Sequence, residues 1–304
     1  MMDSIPAFLG AIRASGLEPP SVVEPGRLHR FPGIGKRSSN RAGWCLLFED
    51  GRGGSFGDWS SGFSENWQAG RREQFSREER AAFRRKVAAV RFAAERERAE
   101  QQNRAASRAS AIWHGAASAP ANHPYLLRKQ VGAHLARIYK GSLLLPVMKL
   151  DGSIRSLQFI AADGGKKLLS HGQKKGCAVP VNRMLSTDLV QPQQVVICEG
   201  WATGATLAAD TPNALVLAAI DAGNLMAVAL CVRSRWPDVV ITIAGDDDRK
   251  TAGNPGRSKA TVAAIEADAL LALPQWPEDA PDALSDFNDL ACWISRQGEE
   301  VRHG

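Results

Sequence analysis

Short apolar runs rich in β-branched residues recur along the C-terminal third of the chain, and each stops abruptly at polar residues. Continuous apolar runs of this length are typical of strands buried in a parallel sheet. The segments between them are long enough for helical crossovers, and the one after Gly200 is small and Ala-rich, as expected of a helix packed tightly on a sheet. The predicted strands are 195–198, 214–220 and 239–244, and the predicted helices are 201–210 and 260–271.

Residues 76–108 carry the pattern of one long helix. Ser76 begins a capping box with Glu79, apolar residues follow at helical spacing, and neither Gly nor Pro interrupts the segment. Most of the other side chains are Arg, Glu and Ala, so the apolar stripe is thin. We expect a solvated helical linker, although its arginines also suit phosphate contacts and its stripe suits a docking partner.

Two Asp-Gly pairs predict β-hairpins. Asp50-Gly51 lies between apolar pieces of a Gly-, Ser- and aromatic-rich segment, 26–68, and Asp151-Gly152 separates two alternating runs. The first hairpin belongs to a compact β-rich unit at the N-terminus. Its aromatic residues form either the core of that unit, which we favour, or a platform that stacks on nucleic-acid bases. They are Trp44, Phe48, Phe56, Trp59, Phe63 and Trp67.

The composition is that of a folded chain. Of its 304 residues 44% are hydrophobic, and the length suggests about two domains. No apolar run approaches the roughly 20 residues that span a membrane, and the N-terminus lacks the pattern of a signal peptide, so we expect a cytoplasmic protein with no membrane partner. The five cysteines are scattered singly with no CxxC pair, which argues against a structural zinc site.

Charge is distributed unevenly along the chain, whose net charge is +6. Residues 109–180 hold ten Lys and Arg side chains and two acidic ones, whereas residues 181–304 hold nine basic and seventeen acidic side chains. This distribution suits nucleic acid bound to the middle of the chain and a divalent metal bound in its C-terminal part. The alternative is that the two parts simply attract each other.

Two of the predicted strands end at the acidic residues from which we predict a site. Glu199 ends the first, and Asp246, Asp247 and Asp248 follow the third after a single glycine. Because ligands bind at the carboxyl ends of the strands in open α/β sheets, we expect Glu199, Asp246 and Asp248 to meet at one edge. Three carboxylates are the hard oxygen donors that Mg²⁺ prefers when it carries a phosphate substrate.

Basic residues in two Gly-containing segments accompany these acids. The first segment precedes the acidic strands, and its lysines can follow a phosphate backbone without reading its sequence. They are Lys166, Lys167, Lys174 and Lys175. The second segment follows the aspartates, and its cations either hold an incoming triphosphate or template backbone or neutralise the acids. They are Arg249, Lys250, Arg257 and Lys259.

The order and spacing of these features resemble the Toprim domain, which bacterial-type primases, topoisomerases and some nucleases share. The resemblance covers most of residues 120–295, and its last part is Asp286-Phe287-Asn288-Asp289-Leu290, similar to the D-[FW]-N-D-L element of plasmid and phage primases. It implies metal binding by Glu199, Asp246 and Asp248, with Asp247 pointing away. Gly200, Asp286, Asn288 and Asp289 are then expected to support the site. Taken alone, the last element also fits an Asx-capped helix start.

The fold implied by the resemblance is α/β, with a Rossmann-like parallel sheet flanked by helices. We expect a small β-rich module at 1–70, a charged helical linker at 71–118, a basic α+β subdomain at 119–190 and a Toprim catalytic domain at 191–304. The N-terminal module is similar to one that accompanies plasmid and phage Toprim primases, where zinc is usual. Because cysteine pairs are missing here, no zinc role is carried over.

The function implied by the resemblance is that of a plasmid- or phage-type DNA primase, which makes short primers by nucleotidyl transfer with Mg²⁺ or Mn²⁺. The expected partners are a single-stranded DNA template and nucleoside triphosphates. No Walker A sequence is present, so a replicative helicase is expected on a separate chain. The alternatives are a Toprim-type metal-dependent nuclease and a non-catalytic single-stranded DNA-binding or loading module.

Overall fold

The structure is a computed structural model that describes residues 4–69 and 77–303. It divides the chain into two compact units, residues 1–99 and 100–304. Ser76, where the predicted capping box begins, lies outside the described residues. Within the described ranges, no helix combines the length and the apolar character needed to cross a membrane.

The first unit is built around an antiparallel sheet whose four strands pair in chain order. Its elements are α1 (Ser4–Ala14), β1 (His29–Phe31), β2 (Gly43–Leu47), β3 (Gly53–Asp58) and β4 (Phe63–Gln68). The hairpin predicted at Asp50-Gly51 is confirmed, because β2 pairs with β3 across it. Gly51 adopts the left-handed backbone that such a turn favours, with φ of 63°.

Aromatic rings fill the core of this first unit. Trp44, Phe48 and Phe56 are buried, and Phe8 of α1 meets Phe56 edge to face with ring centres 6.0 Å apart. The ring of Trp59 stacks with that of Trp44, with ring centres 6.1 Å apart, and the guanidinium of Arg30 is 3.5 Å from the ring centre of Trp59. For Trp44, Phe48 and Phe56 the favoured interpretation, a core rather than a base-stacking platform, is confirmed, whereas Trp59 is only partly buried.

Helix α2 (Arg77–Gly115) is the long predicted helix, and it continues beyond the predicted end at residue 108. Its last turns bury Ala109 and Trp113 in a cluster with Leu144 and Leu157. The packing of these two residues explains why the helix continues beyond residue 108. Its preceding turns consist mostly of charged residues.

The second unit contains an antiparallel sheet in which five strands again pair in chain order. They are β5 (Ala117–Ser118), β6 (Arg137–Tyr139), β7 (Ser142–Met148), β8 (Ile154–Ile160) and β9 (Lys166–Leu168), with helix α3 (Pro124–Lys129) between β5 and β6. The hairpin predicted at Asp151-Gly152 is confirmed by the pairing of β7 with β8. A Cβ atom at Gly152 would lie 2.7 Å from the backbone oxygen of Leu185, so only glycine fits this turn.

The second sheet of this unit has the order β10-β12-β11-β13-β14 and is parallel except for β10. Its strands are β10 (Val179–Pro180), β11 (Gln194–Cys198), β12 (Leu215–Ala218), β13 (Val240–Ala244) and β14 (Leu270–Ala272). The helices are α4 (Trp201–Asp210), α5 (Leu225–Arg235), α6 (Pro255–Glu266) and α7 (Phe287–His303). The α/β prediction is thereby confirmed.

Alternate residues of the parallel strands enter two different cores. Val195 and Ile197 pack with α5 and α6 on one face, whereas Val196 and Cys198 pack with α4 and the antiparallel sheet on the other. Burial on both faces explains why these strands are continuous apolar runs. A Cβ at Gly204 would lie 2.9 Å from Cγ2 of Val181, so the small residues of α4 are needed for its close approach.

One predicted element was wrong at its C-terminal end. The sequence predicted a helix over 260–271, but α6 ends at Glu266 and β14 begins at Leu270. Asp268 turns the chain with φ of 49°, and the guanidinium of Arg233 donates to the backbone oxygens of Ala267 and Asp268. The strand predicted at 214–220 is likewise shorter, covering Leu215–Ala218.

Candidate active site

The parallel register brings the chain segments after three strands to the same edge of the sheet. Cys198, the last residue of β11, pairs with Ala218 of β12 and with Ala244 of β13. Glu199 therefore leaves the sheet beside the segment that leads to Asp246. The N–H of Ala219 donates to the backbone oxygen of Cys198 at 2.8 Å, which keeps the third segment at this edge.

Asp246 is the most strongly perturbed acid at this edge. Burial is the main cause that raises its pKa from 3.8 to about 8, and the carboxylates of Glu199, Asp286 and Asp248 raise it further. The ammonium of Lys166 acts in the opposite direction. One oxygen of Asp246, Oδ1, is buried without a hydrogen-bond partner. The carboxylate of Asp246 therefore lies near other acids and has too few hydrogen-bond donors around it.

Glu199 has the same type of environment. Its pKa is raised, chiefly by burial and then by the carboxylates of Asp248 and Asp221. The backbone N–H of Ala222 and the ammonium of Lys166 oppose this increase. We call the set of mutually repelling acids the acidic edge. It comprises Glu199, Asp221, Asp246, Asp248 and Asp286.

The second and third aspartates of the Asp246–Asp248 run have different roles. Both oxygens of Asp247 accept hydrogen bonds, one from Asn254 Nδ2 at 2.6 Å and the other from Trp276 Nε1 at 3.2 Å. Asp248 Oδ2 accepts from the N–H of Gly256 at 2.9 Å, in the first turn of α6. Asp247 therefore fastens neighbouring loops, whereas α6 helps to orient Asp248 at the acidic edge.

A divalent cation fits the chemistry of this edge. The donors are carboxylate oxygens, the buried Oδ1 of Asp246 is unpartnered, and a cation would relieve the repulsion that raises the pKa values of Asp246 and Glu199. Among the described residues, no three acidic, His or Cys side chains already surround one metal position.

Two of the four predicted lysines are close to the acidic edge. Lys166 on β9 lowers the pKa values of Glu199 and Asp246, and Lys174 Nζ lies 2.5 Å from Asp221 Oδ2. Lys167 and Lys175 are exposed. This part of the basic segment therefore adjoins the acids in the folded unit, although it is distant from them in sequence.

The cations after the aspartates are arranged differently. Arg249 Nη1 lies 3.2 Å from Asp282 Oδ1, and the guanidinium is 4.5 Å from the ring centre of Trp276. Lys250, Arg257 and Lys259 are exposed. The structure thus places Arg249 against the 276–282 loop and leaves the other three side chains accessible.

The Asp286–Leu290 element both caps a helix and approaches the site. The N–H of Asp289 donates to Asp286 Oδ1 at 2.7 Å, which is the Asx cap that the sequence allowed. Asp289 also lies 3.0 Å from Lys129 Nζ, and buried Asn288 donates to the backbone oxygen of Lys129 and to Thr206 Oγ1. Asp286 remains close enough to Asp246 to raise its pKa.

Asp221 and Lys129 were not among the sequence-predicted site residues. Asp221 follows the apolar run of β12, so the rule that identified Glu199 also applied to it. Lys129 carries no comparable signal, because only the packing of α3 beside α7 brings it to Asp289. Gly200 is the N-cap residue of α4, which lets that helix begin immediately after Glu199.

Comparisons with known proteins agree with this location. Residues 194–296 match the family model described as the Toprim domain. Two Escherichia coli proteins named DNA primase TraC are 41% identical to the chain over 148 residues and 40% identical over 124 residues. These matches cover 46% and 40% of this chain but only 14% and 8% of the relatives.

Among solved structures, the primase fragment of the bacteriophage T7 primase-helicase protein aligns with a TM-score of 0.39 and 11% identity, covering 91% of this chain and 99% of the other. The sheet order, the acidic edge and the family match agree for the second sheet of the second unit. Over residues 194–296 this chain is therefore similar to the Toprim domain.

Proposed function

We propose that this protein is a DNA primase of the mobile-element type, which synthesises short primers on single-stranded DNA by metal-dependent nucleotidyl transfer. The observation that carries the proposal is the acidic edge, where half-buried Asp246 lies beside other carboxylates and a lysine. The proposal is also supported by two relatives named DNA primase TraC, to which the chain is 41% and 40% identical over the matched residues. The chain spans only a small part of those relatives, so activity, substrates and partners are all part of the proposal.

Glu199, Asp246 and Asp248 are the residues that would hold Mg²⁺ or Mn²⁺, with Asp286 supporting them. The bound ion would supply Lewis-acid stabilisation of the phosphates and favour ionisation of the attacking 3′-hydroxyl. The chain's own contribution is to position these oxygens and to balance their charge with Lys166. Phosphoryl transfer depends mainly on positioning and electrostatic stabilisation, so no side-chain nucleophile is required.

Exposed cations around the acidic edge supply contacts for phosphates. Lys167 and Lys175 would follow the template backbone. The incoming triphosphate would meet Lys250, Arg257 and Lys259, which are exposed after the aspartates. A helicase on a separate chain would supply the unwound template.

The proposal includes the finer organisation predicted from sequence. In it, a β-rich module at 1–70 and a helical linker at 71–118 precede the basic subdomain at 119–190 and the catalytic domain at 191–304. Support comes from the antiparallel sheet β1–β4 within the first segment and from α2 within the second.

The test is to incubate the protein with single-stranded DNA, labelled nucleotides and Mg²⁺, alongside Glu199→Gln. Glu266→Gln is the matched control, because this exposed residue on α6 undergoes the same chemical change. We expect short labelled products from the unmodified protein and from Glu266→Gln, and none from Glu199→Gln. Shortened DNA without new synthesis would instead assign a nuclease, and equal DNA binding without products would assign a non-catalytic module.

A further inference from the structure

The segment after β12 has an unfavourable backbone that points to a specific role. Ile220 has φ of 81°, and β-branched residues rarely adopt the left-handed region. On one side of it, the N–H of Ala219 is bonded to the end of β11. On the other side, Asp221 joins the acidic edge and raises the pKa of Glu199. The strained residue thus turns the chain so that the Asp221 carboxylate lies beside Glu199.

Asp221 has a defined cationic partner in the basic segment. Its Oδ2 lies 2.5 Å from Lys174 Nζ, and both side chains remain partly exposed, at 44% and 38%. An incoming anion can therefore reach the ammonium while Asp221 still contacts it. A free lysine side chain would sample many rotamers, so this ion pair restricts where the charge of Lys174 is found.

A buried asparagine fixes the backbone around this ion pair. Asn224 is 1% exposed, and its Oδ1 accepts from the N–H of Gly176 at 3.0 Å. Its Nδ2 donates to the backbone oxygens of Lys174, Cys177 and Ala219 at 3.2, 2.9 and 3.0 Å. One side chain thus fastens the lysine-bearing loop to the segment that carries Asp221.

We propose that Asp221 is a positioning residue for Lys174, in a loop anchored by Asn224, and that Lys174 so placed binds a phosphate group at the acidic edge. The phosphate belongs either to the template backbone or to the triphosphate, since both present the same oxygens. The inference rests on the proposed function, because it deepens the role of the same site.

The experiment is a double-mutant cycle with Asp221→Asn, Lys174→Gln and both together, in the full chain. Asp188→Asn is the control, because it removes one exposed acid from the same unit. Affinities for a labelled oligo-dT and for Mg²⁺-nucleoside triphosphate are measured separately at low salt, which distinguishes the two sources of phosphate. Asp221→Asn releases Lys174 and should therefore raise the affinity for one of these two ligands about threefold. The same substitution should not raise that affinity in the Lys174→Gln background, and Asp188→Asn should not raise it either.

Primer synthesis supplies a second readout. We expect turnover of Asp221→Asn to fall about tenfold while its binding tightens, because a displaced lysine still attracts phosphate but holds it out of place. Additive effects in both binding cycles would overturn the inference, and so would a parallel loss of binding, turnover and melting temperature. If the unmodified protein makes no primers, the proposed function fails, but the two binding cycles still decide the role of Asp221.

Discussion

Asp246→Asn should stabilise the metal-free protein, although it removes a proposed metal ligand. The pKa of Asp246 is raised from 3.8 to about 8 by burial and by Glu199, Asp286 and Asp248. Asparagine has nearly the same shape but no charge, and the buried Oδ1 that it alters makes no hydrogen bond. The substitution therefore removes repulsion at little cost in contacts.

The size of the effect follows from the two pKa values. Each tenfold change in a protonation constant is worth about 1.4 kcal/mol, so folding with this carboxyl group costs up to about 4 kcal/mol at pH 7. Because the folded-state pKa is the higher one, the cost is absent below about pH 4, grows with pH and is complete above about pH 8. This cost becomes smaller when the acids move apart. We therefore expect Asp246→Asn to raise the free energy of unfolding by about 1–3 kcal/mol at pH 7.

The assay is urea denaturation in EDTA at several values between pH 5 and pH 8. The gain in unfolding free energy of Asp246→Asn should increase steadily across this range. Asp247→Asn is the matched control, because both oxygens of Asp247 accept hydrogen bonds and an amide can use only one oxygen as an acceptor. It should destabilise the protein by about 1–3 kcal/mol. A gain for Asp246→Asn that does not change with pH, or a loss at every pH, would refute the reasoning.

Other expectations follow from the same contacts. Mg²⁺ should raise the urea midpoint of the unmodified protein but not of Asp246→Asn, because only the native acidic edge holds the ion; equal shifts would count against the site. Lys166→Gln should lower the free energy of unfolding of the metal-free protein at pH 8 by less than about 1 kcal/mol, because the lysine is exposed. Lys167→Gln should leave this free energy unchanged in the same urea titration. Asn288→Ala should cost about 1–2 kcal/mol in thermal or urea unfolding, because the backbone oxygen of Lys129 and Thr206 Oγ1 each lose a hydrogen bond from this buried amide. Gly256→Ala should lower Mg²⁺ affinity in calorimetry, since its Cβ would lie 2.8 Å from the backbone oxygen of Asp246; unchanged affinity would contradict this.

The sequence was sufficient to predict the strands of the parallel sheet, and the edge at which Glu199 and Asp246 lie, because burial on both faces leaves a strong signal. Runs such as 195–198 are apolar throughout, and parallel pairing places the residues that follow them at one edge. Asp50-Gly51 and Asp151-Gly152 identified hairpins for an equally local reason, since each turn has a glycine with positive φ.

Features that depend on distant contacts could not be predicted in the same way. Lys166 reaches the acids because β9 pairs with β8, with Lys166 opposite Ile160, and no local pattern reveals that alignment. The end of α6 was missed because Asp268, rather than a glycine, takes the left-handed conformation, with Arg233 from α5 holding the adjacent oxygens.

The wide separation of the acidic edge along the chain has a consequence for biosynthesis. Glu199 and Asp248 leave the ribosome well before Asp286, which caps the last helix. A nascent chain that has already formed β11, β12 and β13 still lacks this acid and the Asn288 contacts to α3 and α4. The complete edge therefore forms only after residues 199–286 have all been translated, and a product truncated before Asp286 lacks one of its acids.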